Sequence, residues 1–123
     1  MYILDIGEFN MKLRLRHNSI RLRLTRSEVD QFQRSGQVQE TLDFPQTPLV
    51  FSLESSPDAE TISASFLGGR LSVAVPLAQG RAWATTEEVG IEGVFKGLSI
   101  LIEKDWPCLH PSATEDADTF ARP

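Results

Sequence analysis

Apolar and charged side chains alternate through residues 11–24, MKLRLRHNSIRLRL, on both sides of the dipeptide His17-Asn18. Alternation at every second residue is typical of a strand with one buried face. A two-residue polar break between two such runs is typical of a β-hairpin. We therefore predict a hairpin that turns at His17-Asn18, with leucines on one face and cationic side chains on the other.

A helix start follows the hairpin directly. Thr25 and Glu28 have the spacing of a capping box, in which each side chain accepts a hydrogen bond from the other residue's backbone N–H. The predicted helix covers residues 26–34 and ends at Gly36, because glycine favours the left-handed conformation that terminates helices. Strands are predicted over residues 37–44 and 49–53.

The second half of the chain repeats this pattern when the numbering is shifted by 51 residues. The turn at His17-Asn18 then falls on Gly68-Gly69, and Phe32 falls on Trp83. Gly80 weakens the second predicted helix, residues 77–85. The shift predicts one shared core, formed by Leu13, Leu15, Leu22, Leu24, Phe32, Phe66, Val73, Val75, Trp83 and Ile100.

The predicted fold is α+β and β-rich, with two hairpin–short helix–hairpin units, residues 11–60 and 62–110. A lone hairpin cannot bury its apolar face, so the two units are expected to close into an eight-strand barrel or a barrel-like antiparallel sheet. Residues 11–111 form one domain of ordinary size. Residues 1–10 are predicted to be an N-terminal extension, and residues 112–123 a flexible acidic tail.

The charge distribution singles out the first hairpin. The net charge of −5 argues against a general nucleic-acid binder. Half of the 12 Lys and Arg residues nevertheless fall within residues 12–26, a stretch that contains no Asp or Glu. The cations on the predicted hairpin are Lys12, Arg14, Arg16, Arg21 and Arg23.

Like charges directly opposite each other on a sheet are destabilising, so the basic hairpin needs an explanation. One explanation is structural: acids on neighbouring strands offset the charge, with Glu40, Asp43, Glu54, Glu92 and Glu103 as candidates. The other is functional: the basic face binds an anionic partner, such as a phosphate, a nucleic acid or an acidic protein segment. The leading hypothesis is accordingly a non-enzymatic binding module.

The alternative is an enzymatic or metal-binding protein with a site around Cys108 and His110. One cysteine and one histidine fall short of the four ligands that a structural zinc site normally has. The sequence contains no motif of a known catalytic class, so no catalytic residue, metal or cofactor is predicted. A single cysteine excludes an intrachain disulfide and is typical of a cytoplasmic protein. No apolar run is long enough to span a membrane.

Two resemblances to known families complement these patterns. The segments MKLRLRHNSIRLRLTRSEV (11–29) and ILIEKDWPCL (100–109), with the acidic tail, resemble a small family of uncharacterised bacterial proteins. That resemblance implies no functional residues, but it implies that Met11 is the usual first residue. The segments GRLSVAVP (69–76) and VGIE (89–92) resemble the swapped-hairpin barrels of the AbrB/MazE type, which implies a barrel of hairpin–helix–hairpin units and a nucleic-acid partner. Pairing of the two halves by simple stacking or by interleaving stays open at this point.

Overall fold

The computed structural model of the protein describes residues 11–105. Predictions about residues 1–10 and 106–123, including the extension and the tail, lie outside the described residues. The elements are β1 (Lys12–Arg16), β2 (Ser19–Leu24), α1 (Arg26–Ser35), β3 (Gln37–Leu42), β4 (Leu49–Ser56), β5 (Ser63–Leu67), β6 (Arg70–Pro76), α2 (Leu77–Thr85), β7 (Gly90–Phe95) and β8 (Leu98–Lys104). Residues 11–105 are thus β-rich with two short helices, as predicted.

The local signals of the first hairpin and helix are confirmed. The hairpin turns at His17-Asn18, so that Arg16 faces Ser19. The Thr25 hydroxyl accepts from the Glu28 backbone N–H at 3.4 Å. In return, the Glu28 carboxylate accepts from the Thr25 N–H at 2.9 Å. Gly36, with φ +82°, ends α1 by donating its N–H to the Phe32 carbonyl at 2.7 Å.

The predicted closed barrel is wrong. The strands form two four-stranded sheets, with the orders β1-β2-β8-β7 and β3-β4-β6-β5. The sheets are also mixed rather than antiparallel, because β2 pairs with β8, and β4 with β6, in parallel. The physical reason is interleaving: each sheet combines one hairpin from residues 11–60 with one from residues 62–105, and their inner strands run in the same direction.

One core joins the sheets and the helices. Most of the predicted core is confirmed, including Leu22, Leu24, Val73 and Val75, which are all fully buried. Phe32 of α1 and Trp83 of α2 meet edge to face, with ring centroids 5.9 Å apart. These aromatic side chains therefore hold the two helices together over the sheets.

Gly80 of α2 is explained by this helix contact. A Cβ atom on Gly80 would lie 3.1 Å from Phe32 Cζ and 3.1 Å from Val75 Cγ2. Glycine lowers helix propensity, but here its missing side chain lets α2 approach α1 closely. The residue that weakened the helix prediction therefore has a packing role.

Two predicted core residues are wrong: Leu15 is 61% exposed and Phe66 is 63% exposed. Leu13 is only partly buried against the core. All three predictions assumed that alternation alone decides burial. Leu15 and Phe66 lie near the hairpin turns on β1 and β5, which are edge strands of the two sheets. An edge strand lacks a neighbour on one side, so an inward side chain near its end is left uncovered.

Within residues 11–105, no helix is long and apolar enough to cross a membrane.

Candidate functional site

The first hairpin places the five predicted cationic residues on one face of β1 and β2. The register sets Lys12 opposite Arg23 and Arg14 opposite Arg21. Leu22 and Leu24, which alternate with these residues on β2, are fully buried on the other face. We call this surface the basic face, defined by Lys12, Arg14, Arg16, Arg21 and Arg23.

Acids from β8 and the residue after it offset part of this charge. The Glu103 carboxylate lies 2.8 Å from Arg23 Nη2 and 3.5 Å from Arg21 Nε. The Asp105 carboxylate lies 3.6 Å from Lys12 Nζ. Of the acids that the sequence offered as partners, Glu103 contacts the basic face, whereas Glu54 pairs with Arg70 in the other sheet. The structural explanation is therefore correct for one end of the basic face.

The other end of the basic face keeps its charge. Arg14 and Arg16 are exposed and form no ion pair with any residue between positions 11 and 105. A shallow depression of about 220 Å³ opens on the basic face, lined by Lys12, Leu13, Arg14, Arg21 and Arg23. Guanidinium groups present several fixed donors, which suits bidentate binding of a carboxylate or phosphate. The surface can therefore bind an anion without first breaking an ion pair at Arg14 or Arg16.

An apolar groove adjoins the basic face at the hairpin turns. It encloses about 480 Å³, and Leu15 and Phe66 lie on its walls. Arg16 and His17 also line it, so the groove meets the basic face at the hairpin turn. The remaining lining residues are Asn18, Ser19, Ile20, Ala64, Ser65, Leu71 and Leu98. We call it the tip groove. It was not predicted from the sequence, because Leu15 and Phe66 were assigned to the core.

Glu28 and Glu40 form a pair of neighbouring carboxylates that was not predicted from the sequence. Burial raises the pKa of Glu28 on α1, and the neighbouring Glu40 carboxylate on β3 raises it further. Burial likewise raises the pKa of Glu40, although hydrogen bonds from the Met11 backbone and from Glu28 partly oppose the shift. The two residues share no motif spacing, since a helix and a strand bring them together, so no sequence signal could have found the pair.

The Cys108 and His110 alternative lies outside the described residues. The last described residue, Asp105, borders a depression of about 250 Å³ beside α1 and α2. Lys104 lies there with its ammonium donating to the Thr86 carbonyl at 2.8 Å. Burial lowers the pKa of Lys104. Among residues 11–105, no cluster of three or more His, Cys, Asp or Glu side chains could hold a metal ion.

Comparison with known proteins identifies a matching family. The sequence matches a family of unknown function, DUF7009, over residues 11–123. The chain belongs to the DUF7009 family. No curated protein and no solved structure matches it. Membership of DUF7009 agrees with the resemblance to an uncharacterised family and with the start of that resemblance at Met11. It assigns no activity to the basic face or to the tip groove.

Proposed function

We propose that this DUF7009 protein is a non-enzymatic binding module whose basic face contacts an anionic partner. The observation that carries the proposal is the exposed pair Arg14 and Arg16, which have no carboxylate partner within residues 11–105. Within residues 11–105, the carboxylates that pair with the basic face are those of Glu103 and Asp105, and neither pairs with Arg14 or Arg16. An anion is the ligand that such a surface favours.

The mechanism of binding follows from the geometry of the hairpin. Arg14 and Arg16 lie two residues apart on β1, so their guanidinium groups project from the same face of the sheet. Charge-assisted hydrogen bonds from two such groups are roughly twice as strong as neutral ones. Because the positions are fixed by strand pairing, little backbone entropy is lost on binding.

The test compares two double variants with the same change of charge. Arg14→Ala with Arg16→Ala removes the unpaired cations but keeps the ion pairs of Glu103. Arg34→Ala with Arg81→Ala removes two exposed cations from the helices and serves as the control. Binding of a labelled hexaglutamate peptide and of a labelled single-stranded oligonucleotide is measured by fluorescence anisotropy at several salt concentrations.

We expect the Arg14/Arg16 variant to bind at least about tenfold more weakly, since a charge-assisted hydrogen bond contributes about 1.5–3 kcal/mol. The control should stay within about twofold of the parent protein. Affinity should fall as salt rises, because the contacts lie at the surface. Equal losses in both variants would show only non-specific attraction and would contradict the proposal.

We also infer that the two halves arose by internal duplication. The order strand, strand, helix, strand, strand occurs over residues 12–56 and again over residues 63–104. Phe32 and Trp83, which are 51 positions apart, occupy the corresponding helices and contact each other. The interleaved hairpins support the resemblance to swapped-hairpin folds of the AbrB/MazE type, which is the reason to include an oligonucleotide among the probes.

A further inference from the structure

The tip groove and the basic face lie on opposite faces of the first hairpin and meet at its turn, where Arg16 also lines the groove. Arg16 belongs to both, and Leu15 precedes it on the same edge strand. Leu15 and Phe66 are each more than half exposed, although both are large and apolar. Contiguous exposed apolar side chains on a protein usually mark a binding site. The matching ligand combines acidic groups with a large apolar side chain a few residues away.

The chain itself contains such a segment. Residues 115–120, EDADTF, place Glu115, Asp116 and Asp118 before Phe120. Three carboxylates within four residues complement the unpaired guanidinium groups of the basic face. An aromatic side chain such as Phe120 gains free energy when it leaves water for an apolar groove.

The last described residue, Asp105, lies next to the basic face. The Asp105 carboxylate is 3.6 Å from Lys12 Nζ, so the backbone leaves the described residues at the edge of the basic face. The positions from Lys12 to Arg16 span roughly 13 Å, at about 3.3 Å per strand residue. Residues 106–115 can extend over roughly 33 Å, which is more than that distance. The acidic segment can therefore reach both the basic face and the tip groove.

We propose that residues 115–120 bind in cis where the two meet, with the carboxylates on Arg14 and Arg16 and Phe120 in the tip groove. The bound segment acts as an internal competitor for anionic partners. Tethering raises its effective concentration to the millimolar range, so even a weak contact is populated. The competitor role rests on the proposed function, whereas the docking itself does not need an external partner.

The first experiment locates the segment in the full chain. A nitroxide label is attached to Ala121→Cys in a Cys108→Ser background, and broadening of backbone amide signals is measured by NMR. We expect strong broadening at residues 14–16 and 64–67, weak broadening at the exposed end of α1, and partial recovery of the signals in 1 M salt. Broadening spread evenly over the surface would overturn the docking.

A mixing control separates docking in cis from exchange between copies. Labelled protein without isotope enrichment is added to unlabelled protein that is enriched in nitrogen-15. Broadening that survives only within one chain supports the proposal. Broadening of the enriched protein at the same residues would assign the site to the tail of a second copy and overturn the cis arrangement.

The second experiment tests competition. Glu115→Gln, Asp116→Asn and Asp118→Asn neutralise the segment in the full chain. The control, Asp43→Asn with Asp58→Asn and Glu60→Gln, removes three exposed carboxylates elsewhere. Both variants change the net charge equally, so a general charge effect should be the same in each. Loss of the internal competitor should let hexaglutamate bind about tenfold more tightly to the first variant than to the control.

The two proposals fail in different ways. Equal hexaglutamate affinity for the two neutralised variants, together with a large loss in the Arg14/Arg16 variant, would overturn the competitor and leave the anion-binding function standing. Localised broadening at residues 14–16 and 64–67, with no effect of Arg14 and Arg16 on any anionic probe, would support the docking and remove the proposed function.

Discussion

The first and third hairpins of the chain occupy corresponding places in the two sheets but carry different outer faces. In each, the outer strand lies at a sheet edge and the inner strand pairs in parallel with a strand from the other half. The outward residues of β1–β2 include five cations, whereas β5–β6 has Ser63, Ser65, Leu67, Arg70, Ser72 and Ala74 at its outward positions. The single cation, Arg70, is held by Gln39 at 3.0 Å and Glu54 at 3.4 Å.

This difference separates what the fold requires from what it merely permits. Both hairpins need inward apolar residues, since Leu22 and Leu24 of the first and Val73 and Val75 of the third are fully buried. Only the first has a basic face. Because a hairpin in the same setting folds with serine and alanine outside, the charges are not a condition of folding. Ion pairs with Glu103 and Asp105 account for Lys12, Arg21 and Arg23, and the proposed anion binding would account for Arg14 and Arg16.

The largest expected effect concerns the inward residues that the hairpins share. Leu22→Ala should destabilise the protein by about 2–5 kcal/mol, because it leaves a cavity in a fully buried site. Val73→Ala at the corresponding position should also destabilise it, but less, since fewer methyl groups are lost. Chemical denaturation measures both. A loss below about 1 kcal/mol for Leu22→Ala would show that the hairpins do not share a core.

A smaller effect concerns the carboxylate pair, which has no counterpart in the third hairpin's half. Since burial raises the pKa of Glu40 and of Glu28, the folded chain binds more protons than the unfolded chain above the ordinary carboxylate pKa. Their contribution to stability is complete below that pKa and is lost as pH rises through the raised values. Glu40→Gln should therefore increase stability at pH 7 and change it little at about pH 4.

Denaturation midpoints at the two pH values measure this difference, with Glu60→Gln in an exposed loop as the matched control. The control should respond equally at both pH values. A gain for Glu40→Gln that does not depend on pH would mean that ionisation of the pair does not limit stability.

The smallest expected effect is on stability when the outer face of the third hairpin is copied onto the first. Arg14→Ser with Arg21→Ser introduces the residues found at Ser65 and Ser72. Relief of like-charge repulsion and loss of the contact between Arg21 and Glu103 should nearly cancel, leaving a change within about 1 kcal/mol. Thermal melting tests this. A loss of several kcal/mol would break the comparison, because it would make the charges a folding requirement.

The features of the fold that neighbouring residues decide could be predicted from the sequence. The turn at His17-Asn18, the capping box of Thr25 and Glu28, and the glycine end of α1 are all local, and all are confirmed. The features that depend on contacts between distant segments could not be predicted. The closed barrel was excluded by which hairpins share a sheet, and Leu15 and Phe66 were exposed by their place on edge strands.

The candidate site divides in the same way. The composition of the basic face followed from alternation, and the position of Arg14 opposite Arg21 followed from the two-residue turn at His17-Asn18. The role of Glu103 as the acid that holds Arg21 and Arg23 could not be singled out, because it depends on a parallel pairing across 80 residues. The tip groove and the carboxylate pair could not be predicted, because both are formed by residues that only tertiary contacts bring together.

Interleaving also determines how this chain can be divided. Residues 57–62 are the only covalent link between the halves, yet β2 needs β8 and β4 needs β6 to complete each sheet. A cut in that loop would leave two fragments that each expose two unpaired hairpins and complete both sheets only on meeting. The loop is therefore a natural position for a split reporter. In the intact chain, β2 emerges from the ribosome long before β8, so the first sheet stays incomplete until β8 has been synthesised.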